Sequence, residues 1–266
     1  MPHIKCNQIE KVLDEYISNG KKLALLLDYD GTLTPLVAHP DLAVIPNETK
    51  EILNRISKYD GLFLAVISGR GLSKVKELVG INGIHYAGNH GFEILSPDGS
   101  LYIHQIHEEL QKKLREMVDE LSKNASDNGA WVEDKTYSIT YHYRAVPDQM
   151  KKEYQEKALK IMNKSGFRIN QAHMAIEAKP PINWNKGTAS VMILEKHFSK
   201  NWMNETKVIF IGDDTTDEDA MEALKGNSCT FRISQDENVS THSTHVLKSL
   251  DCVLDILKWI DKYYSK

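Results

Sequence analysis

The run Leu23-Ala24-Leu25-Leu26-Leu27 stops abruptly at Asp28-Tyr29-Asp30-Gly31, and no other feature restricts the fold of this chain as much. An unbroken apolar run has no polar face, so it reads as a strand buried on both sides, inside a parallel sheet covered by helices. Sheets of that kind bind ligands beyond the carboxyl ends of their strands, which is where the acids and the glycine fall. The pattern recurs: 62–67 runs into Ser68-Gly69-Arg70, 84–87 into Gly88-Asn89-His90-Gly91, and 207–211 into Gly212-Asp213-Asp214. Helix-like stretches at 9–17, 49–59, 72–79, 187–197 and 216–224 alternate with these strands, and Leu250, Val253, Leu254, Leu257 and Ile260 share one late helical stripe.

Between 98 and 180 the texture changes. Polar helices are expected at 104–123 and 148–164, around segments such as 131–144 where Tyr137, Ile139, Tyr141 and Tyr143 alternate with polar residues. Alternation marks strands with one exposed face. The expected fold is therefore α/β, a doubly wound, Rossmann-like parallel sheet formed by 1–97 plus 181–266, interrupted by an α+β insertion at 98–180.

With 266 residues and a net charge of −4, the chain is a poor match for nucleic acid, whose phosphates select basic faces. No apolar run reaches the roughly 18 residues of a membrane span, and the first residues do not resemble a signal peptide. Cys6, Cys229 and Cys252 show no paired spacing, so neither a disulfide framework nor a zinc site is expected, and the reducing cytosol is the expected compartment. The spacings His104-x-x-His107 and His242-x-x-His245 lack a third ligand nearby and read as surface residues.

Asp28 and Asp30 are two residues apart, so in extended backbone both carboxylates point the same way. Two acids so close titrate apart or share a cation, the split that a nucleophile beside a general acid needs. Five acids in the seven positions from Asp213 to Asp219 exceed what helix capping explains, and they point to a hard divalent cation such as magnesium. A calcium loop is excluded by the missing central glycine and terminal glutamate. Lys186, at a helix start where the dipole disfavours a cation, suggests a bound anion.

In that order, Asp-x-Asp-Gly-Thr, Ser, Lys and Gly-Asp-Asp resemble the haloacid dehalogenase superfamily of phosphohydrolases. The resemblance implies that Asp28 is the nucleophile and Asp30 the general acid and base, that Ser68 and Lys186 hold the phosphoryl oxygens, and that Asp28, Asp30, Asp213, Asp214 and Asp217 serve Mg2+. Glu133-x-Lys135, His142-Tyr143-Arg144, Glu177 ahead of Lys179-Pro180, and Asn185-Lys186-Gly187 are similar to the trehalose-6-phosphate phosphatases. That likeness implies a disaccharide phosphate as the small-molecule partner, with Glu133, Lys135, Arg144 and Glu177 on its hydroxyls and Arg70, Asn89 and His90 also facing substrate. Tyr137, Tyr141 and Tyr143 either stack on sugar or pack on helices. His173 stands where the family more often has lysine, and Ala178 where a larger aliphatic residue is common. The competing expectations are another sugar phosphatase, of the sucrose-phosphate type, and a non-catalytic domain that keeps the fold. A monomer is the default.

Overall fold

The computed structural model describes residues 3–17, 22–37, 40–172 and 174–265. They divide into two compact units, one of Met1–Ile103 with Trp184–Lys266 and one of His104–Asn183.

The first unit holds strands β1 (His3–Ile4), β2 (Lys22–Leu27), β3 (Leu62–Ile67), β4 (His85–Gly88), β5 (Glu93–Leu95) and β6 (Leu101–Ile103). Helices α1 (Ile9–Tyr16), α2 (Asn47–Ile56) and α3 (Leu72–Val79) connect them. The second unit holds α4 (Glu108–Asn124), β7 (Trp131–Asp134), β8 (Ile139–His142), α5 (Asp148–Met162), β9 (Arg168–Ala172) and β10 (Ala175–Lys179). The chain then returns to the first unit with α6 (Lys186–His197), α7 (Trp202–Glu205), β11 (Thr206–Gly212), α8 (Thr215–Ala223), β12 (Ser228–Ile233), β13 (His245–Leu247) and α9 (Asp251–Tyr264).

The large sheet runs β1-β13-β12-β11-β2-β3-β4-β5-β6. Pairing is parallel from β1 through β4, and β5 and β6 add antiparallel at one edge. Strand β2 shows why an unbroken apolar run is needed here. Leu23, Leu25 and Leu27 join a core with residues of α1, α2, α3 and α9, whereas Ala24 and Leu26 join a second core with residues of α6 and α8 on the opposite face. The two-residue period of the strand thus feeds two separate helix layers.

The smaller sheet, β7-β8-β10-β9, is antiparallel, and one of its faces packs on α4 and α5. Tyr137, Tyr141 and Tyr143 are buried, and Tyr141 and Tyr143 belong to this core. The Tyr141 hydroxyl donates to the Ala125 carbonyl at 2.6 Å, so the Tyr141 and Tyr143 rings pack against the helices. Ala178 is fully buried in the same core, and His173 lies outside the described residues.

One expectation is overturned. Cys6 and Cys252 form a disulfide across a sequence separation of 246, tying the turn ahead of α1 to the first turn of α9. Sequence spacing cannot register a bond closed only when both chain ends pack against the same sheet. Cys229 is free and buried, and burial pushes its thiol up to about 12, far from a reactive thiolate. Neither histidine pair joins a group of three metal-ligating side chains among the described residues. His107 caps α4 instead, accepting from the Glu109 N–H. No helix among the described residues is long and apolar enough to cross a membrane.

Candidate active site

Asp28 follows β2 directly, and its N–H still donates to the Ile211 carbonyl at 3.0 Å, continuing the ladder with β11. Its carboxylate is buried at the sheet's carboxyl edge, beside the Gly212-Asp213 end of β11. Close approach of these two strand ends is possible because residue 31 is glycine. A Cβ there would lie 2.0 Å from Asp213 Oδ2, and the φ of +74° is in any case one that side-chain-bearing residues avoid.

Lys186 opens α6, whose N-cap Asn185 accepts from the Thr188 N–H in a capping box. The ammonium is buried and donates to Asp28 Oδ1 at 2.6 Å and to Asp217 Oδ1 at 2.7 Å. Asp217 itself is fully buried in the first turn of α8, where its other oxygen accepts from the N–H groups of Asp213 and Asp214. Asp28, Asp213 and Asp217 present oxygens that all lie within 4.8 Å of one another.

The charge balance of this cluster is unfavourable as it stands. Burial drives the Asp28 carboxyl well above the ordinary range, against the pull of Lys186 and with the push of Asp217 and Asp213. Asp213 is raised to about 7, by burial first and then by Asp217 and Asp214. Burial opposes the Lys186 charge, yet the Asp217 and Asp28 carboxylates outweigh it and hold the ammonium above its usual value. Three converging oxygen donors with one lysine leave a surplus of negative charge in a dry place. A hard divalent cation fits that donor set and relieves that surplus.

Asp30 lies apart from this trio. Its carboxylate is clasped by Arg70, with Nε to Oδ2 at 2.7 Å and Nη2 to Oδ1 at 2.6 Å. Arg70, expected on substrate, therefore engages the expected acid and base, while its N–H donates to Ser68 Oγ at 3.1 Å. Ser68 is fully buried at the end of β3. Asn89 and His90 are buried as well, and their N–H groups donate to the carbonyls of Arg70 and Ser68, stitching the end of β4 to the end of β3. Both adopt left-handed backbone, with φ of 51° and 57°. Gly69 makes room for them, since a Cβ there would meet the His90 ring at 2.7 Å. The Asn89 amide donates to Glu93. In this structure these two residues brace the loop on which Ser68 and Arg70 sit.

Asp214 is exposed and serves as the N-cap of α8, outside the acidic trio. Arg232, which sequence reasoning passed over, donates from Nη1 to the Asp214 carbonyl and lies 3.7 Å from Glu218. Only a lone arginine at the end of β12 marked it in the sequence.

In the second unit the cross-strand register aligns the expected sugar contacts. Glu133 of β7 and Glu177 of β10 both stand opposite Thr140 of β8, so all three share a face. Lys179 lies 2.9 Å from Glu177, and Lys135 3.9 Å from Glu133. Arg144 is exposed, beyond the end of β8. The sequence reading quoted His142 only within the His-Tyr-Arg motif and gave no role to it or to Trp131, and the two face each other across β7 and β8 on this same face. Their two-residue spacing from Thr140 and Glu133 was the available signal.

A doubly wound parallel sheet with Asp, Ser and Gly-Asp motifs at its strand ends, a Lys at a helix start beside them, and an α+β insertion defines a protein of the haloacid dehalogenase fold. A solved haloacid dehalogenase-like hydrolase from Bacteroides thetaiotaomicron matches it with a TM-score of 0.60 at 16% identity, covering 90% of this chain and 100% of that one. The family model for trehalose-phosphatase matches residues 26–251, and the chain belongs to that family. A rice protein (Oryza sativa subsp. japonica) described as probable trehalose-phosphate phosphatase 2 is 33% identical over 240 residues, which is 82% of this chain and 62% of the rice protein. The chain thus spans less than two thirds of that relative. The C-terminal domain of Candida albicans trehalose-6-phosphate phosphatase shares the fold with a TM-score of 0.79, at 21% identity over 98% of each chain.

Proposed function

We propose that this chain hydrolyses trehalose 6-phosphate to trehalose and phosphate, with magnesium, through an aspartyl-phosphate on Asp28. The observation that carries the reading is the buried Lys186, which bridges Asp28 and Asp217 within the acidic trio at the sheet's carboxyl edge. Asp28, Asp213 and Asp217 would hold the cation, which supplies charge neutralisation for the phosphoryl oxygens.

Asp28 carries the attack on phosphorus. The bond from phosphorus to the sugar oxygen breaks, and Asp30 gives that oxygen its proton. Asp30 then takes a proton from water, whose oxygen attacks the same phosphorus and frees the Asp28 carboxylate and inorganic phosphate. Lys186 fixes one Asp28 oxygen and so sets the direction of the other. Arg70 fixes the Asp30 carboxylate by two hydrogen bonds, which limits its rotation between the two proton transfers. Ser68 stands ready to donate to a phosphoryl oxygen. Family membership supports a disaccharide as the leaving group.

The test is phosphate release with magnesium from trehalose 6-phosphate, sucrose 6-phosphate and glucose 6-phosphate at equal concentration, repeated with EDTA. Strong preference for the first, lost on chelation, is the expected result. Equal rates on all three would refute the substrate assignment, and rates unmoved by EDTA would refute the metal.

A further inference from the structure

Arg232 is buried, with only 8% of its surface exposed, and it bonds in an unexpected order. In β12 it stands opposite Gly212, the last residue of β11 and the neighbour of Asp213. Phe210, two residues before Gly212, shares a core with Ala220 and Met221 of α8, so Gly212 and Arg232 lie on the face that α8 covers. The Glu218 carboxylate of α8 is close by, with Oε1 3.7 Å from Arg232 Nε. That distance is too long for a hydrogen bond, and both atoms are buried without a partner among the described residues. Nη1 donates to the Asp214 main-chain carbonyl instead. A buried guanidinium that forgoes a paired bond to a carboxylate in order to hold a carbonyl calls for a reason.

The reason lies in the turn that carries Asp213. The N–H groups of Asp213 and Asp214 donate to Asp217 Oδ2, and the Asp214 carbonyl accepts from the Asp217 N–H at 3.0 Å as well as from Arg232. Asp217 belongs to the acidic trio, and its other oxygen is engaged by Lys186. Arg232 anchors the same turn to β12 without drawing on that trio. Glu218 accepts from the His242 N–H at 2.6 Å through its second oxygen, and its charge offsets that of Arg232. The pair therefore supplies a strong donor beside Asp213 with little net positive charge to repel a cation.

We infer that Arg232 is a positioning residue for the cation site: by clamping the Asp214 carbonyl it aims the Asp213 carboxylate at the metal. This rests on the magnesium-dependent reading above.

Two effects of Arg232 oppose each other, because the clamp favours the cation and the positive charge taken alone repels it. Arg232→Met combined with Glu218→Gln removes the clamp and both charges, so the net charge is unchanged and the clamp is tested by itself. The glutamine keeps an acceptor for the His242 N–H. Calorimetric titration with magnesium should show affinity about ten- to a hundredfold weaker than wild type, the usual cost of losing a group that orients a metal ligand. Arg232→Lys keeps a charged donor and should fall between the two. At saturating magnesium the KM for trehalose 6-phosphate should stay within about twofold of wild type, since Arg232 acts through the turn and not on the sugar. Magnesium affinity of the double variant that is tighter than wild type, or within about threefold of it, overturns the clamp. A metal-free melting temperature lower by more than about 8 °C in the double variant and in Arg232→Lys alike marks Arg232 as structural and also overturns it. A wild type that binds magnesium but releases no phosphate overturns the proposed activity alone, because the titration still decides the clamp. A wild type that binds no magnesium overturns both.

Discussion

Asp28→Asn separates catalysis from stability, because the two respond in opposite directions. Each of the neighbouring carboxylates, Asp213 and Asp217, lies within 4.8 Å of Asp28 and repels it by about 3.5 kcal/mol at an effective dielectric near 20. Lys186 at 2.6 Å attracts it by about 6 kcal/mol on the same scale. The two repulsions together match or slightly exceed the one attraction, and the cost of burying the charge adds to them. Asparagine keeps an oxygen for Lys186 and removes that cost. The metal-free variant should therefore be as stable as wild type or more stable, by roughly 1–2 kcal/mol, which corresponds to a melting temperature higher by about 2–8 °C. Turnover should fall more than about a thousandfold, since the nucleophile is gone. Added magnesium should raise the melting temperature less than it does for wild type, because one donor has been lost. The assays are thermal unfolding in EDTA and in magnesium, with phosphate release alongside. A metal-free melting temperature lower by more than about 5 °C would show that the carboxylate is a structural anchor for Lys186, and turnover within tenfold of wild type would refute the covalent route.

Arg70→Ala frees the Asp30 carboxylate, and kcat for trehalose 6-phosphate should drop roughly ten- to a hundredfold, with Arg70→Lys intermediate because it cannot form the paired bonds. An unchanged kcat in steady-state assays would remove Arg70 from the positioning of Asp30. Reducing Cys6–Cys252, or replacing Cys6 by Ser, should lower the unfolding free energy by up to about 5 kcal/mol on chain-entropy grounds, given the separation of 246. Urea titration with and without reductant checks this, and identical midpoints would contradict it. His85 is lowered to about 4 by burial first and then by His197, so the unfolded chain takes the proton before the folded one does. Its contribution is complete above its ordinary value of 6.5 and is lost as pH falls toward 4, at a cost of about 2–3 kcal/mol. Urea midpoints measured from pH 7 to pH 4 should show that slope, and His85→Gln should flatten it; an equal slope in the variant would assign the loss to other groups.

The central strands were legible because burial on both faces writes itself as an unbroken apolar run, as in 23–27 and 207–211. The acids and glycines that end those runs were legible for the same reason, since they interrupt the pattern where the strand stops. Short edge strands such as β1, β5 and β6 left too few residues for any period to emerge. Arg70 shows the limit within the site. Its place after Ser68-Gly69 was visible, but its partner depends on how the loops after β2 and β3 lie side by side.

From the sequence alone came the layered α/β core, the insertion, and the residue types gathered at the strand ends, all of which follow from local periodicity and its interruptions. Tertiary structure alone decided which of those residues meet. It placed Lys186 between Asp28 and Asp217, gave Arg70 to Asp30, turned Tyr141 and Tyr143 toward the helices, and closed Cys6 onto Cys252. Periodicity records which face of an element is buried. The partner across a gap of 158 or 246 residues is set by packing, and packing leaves no local trace in the chain.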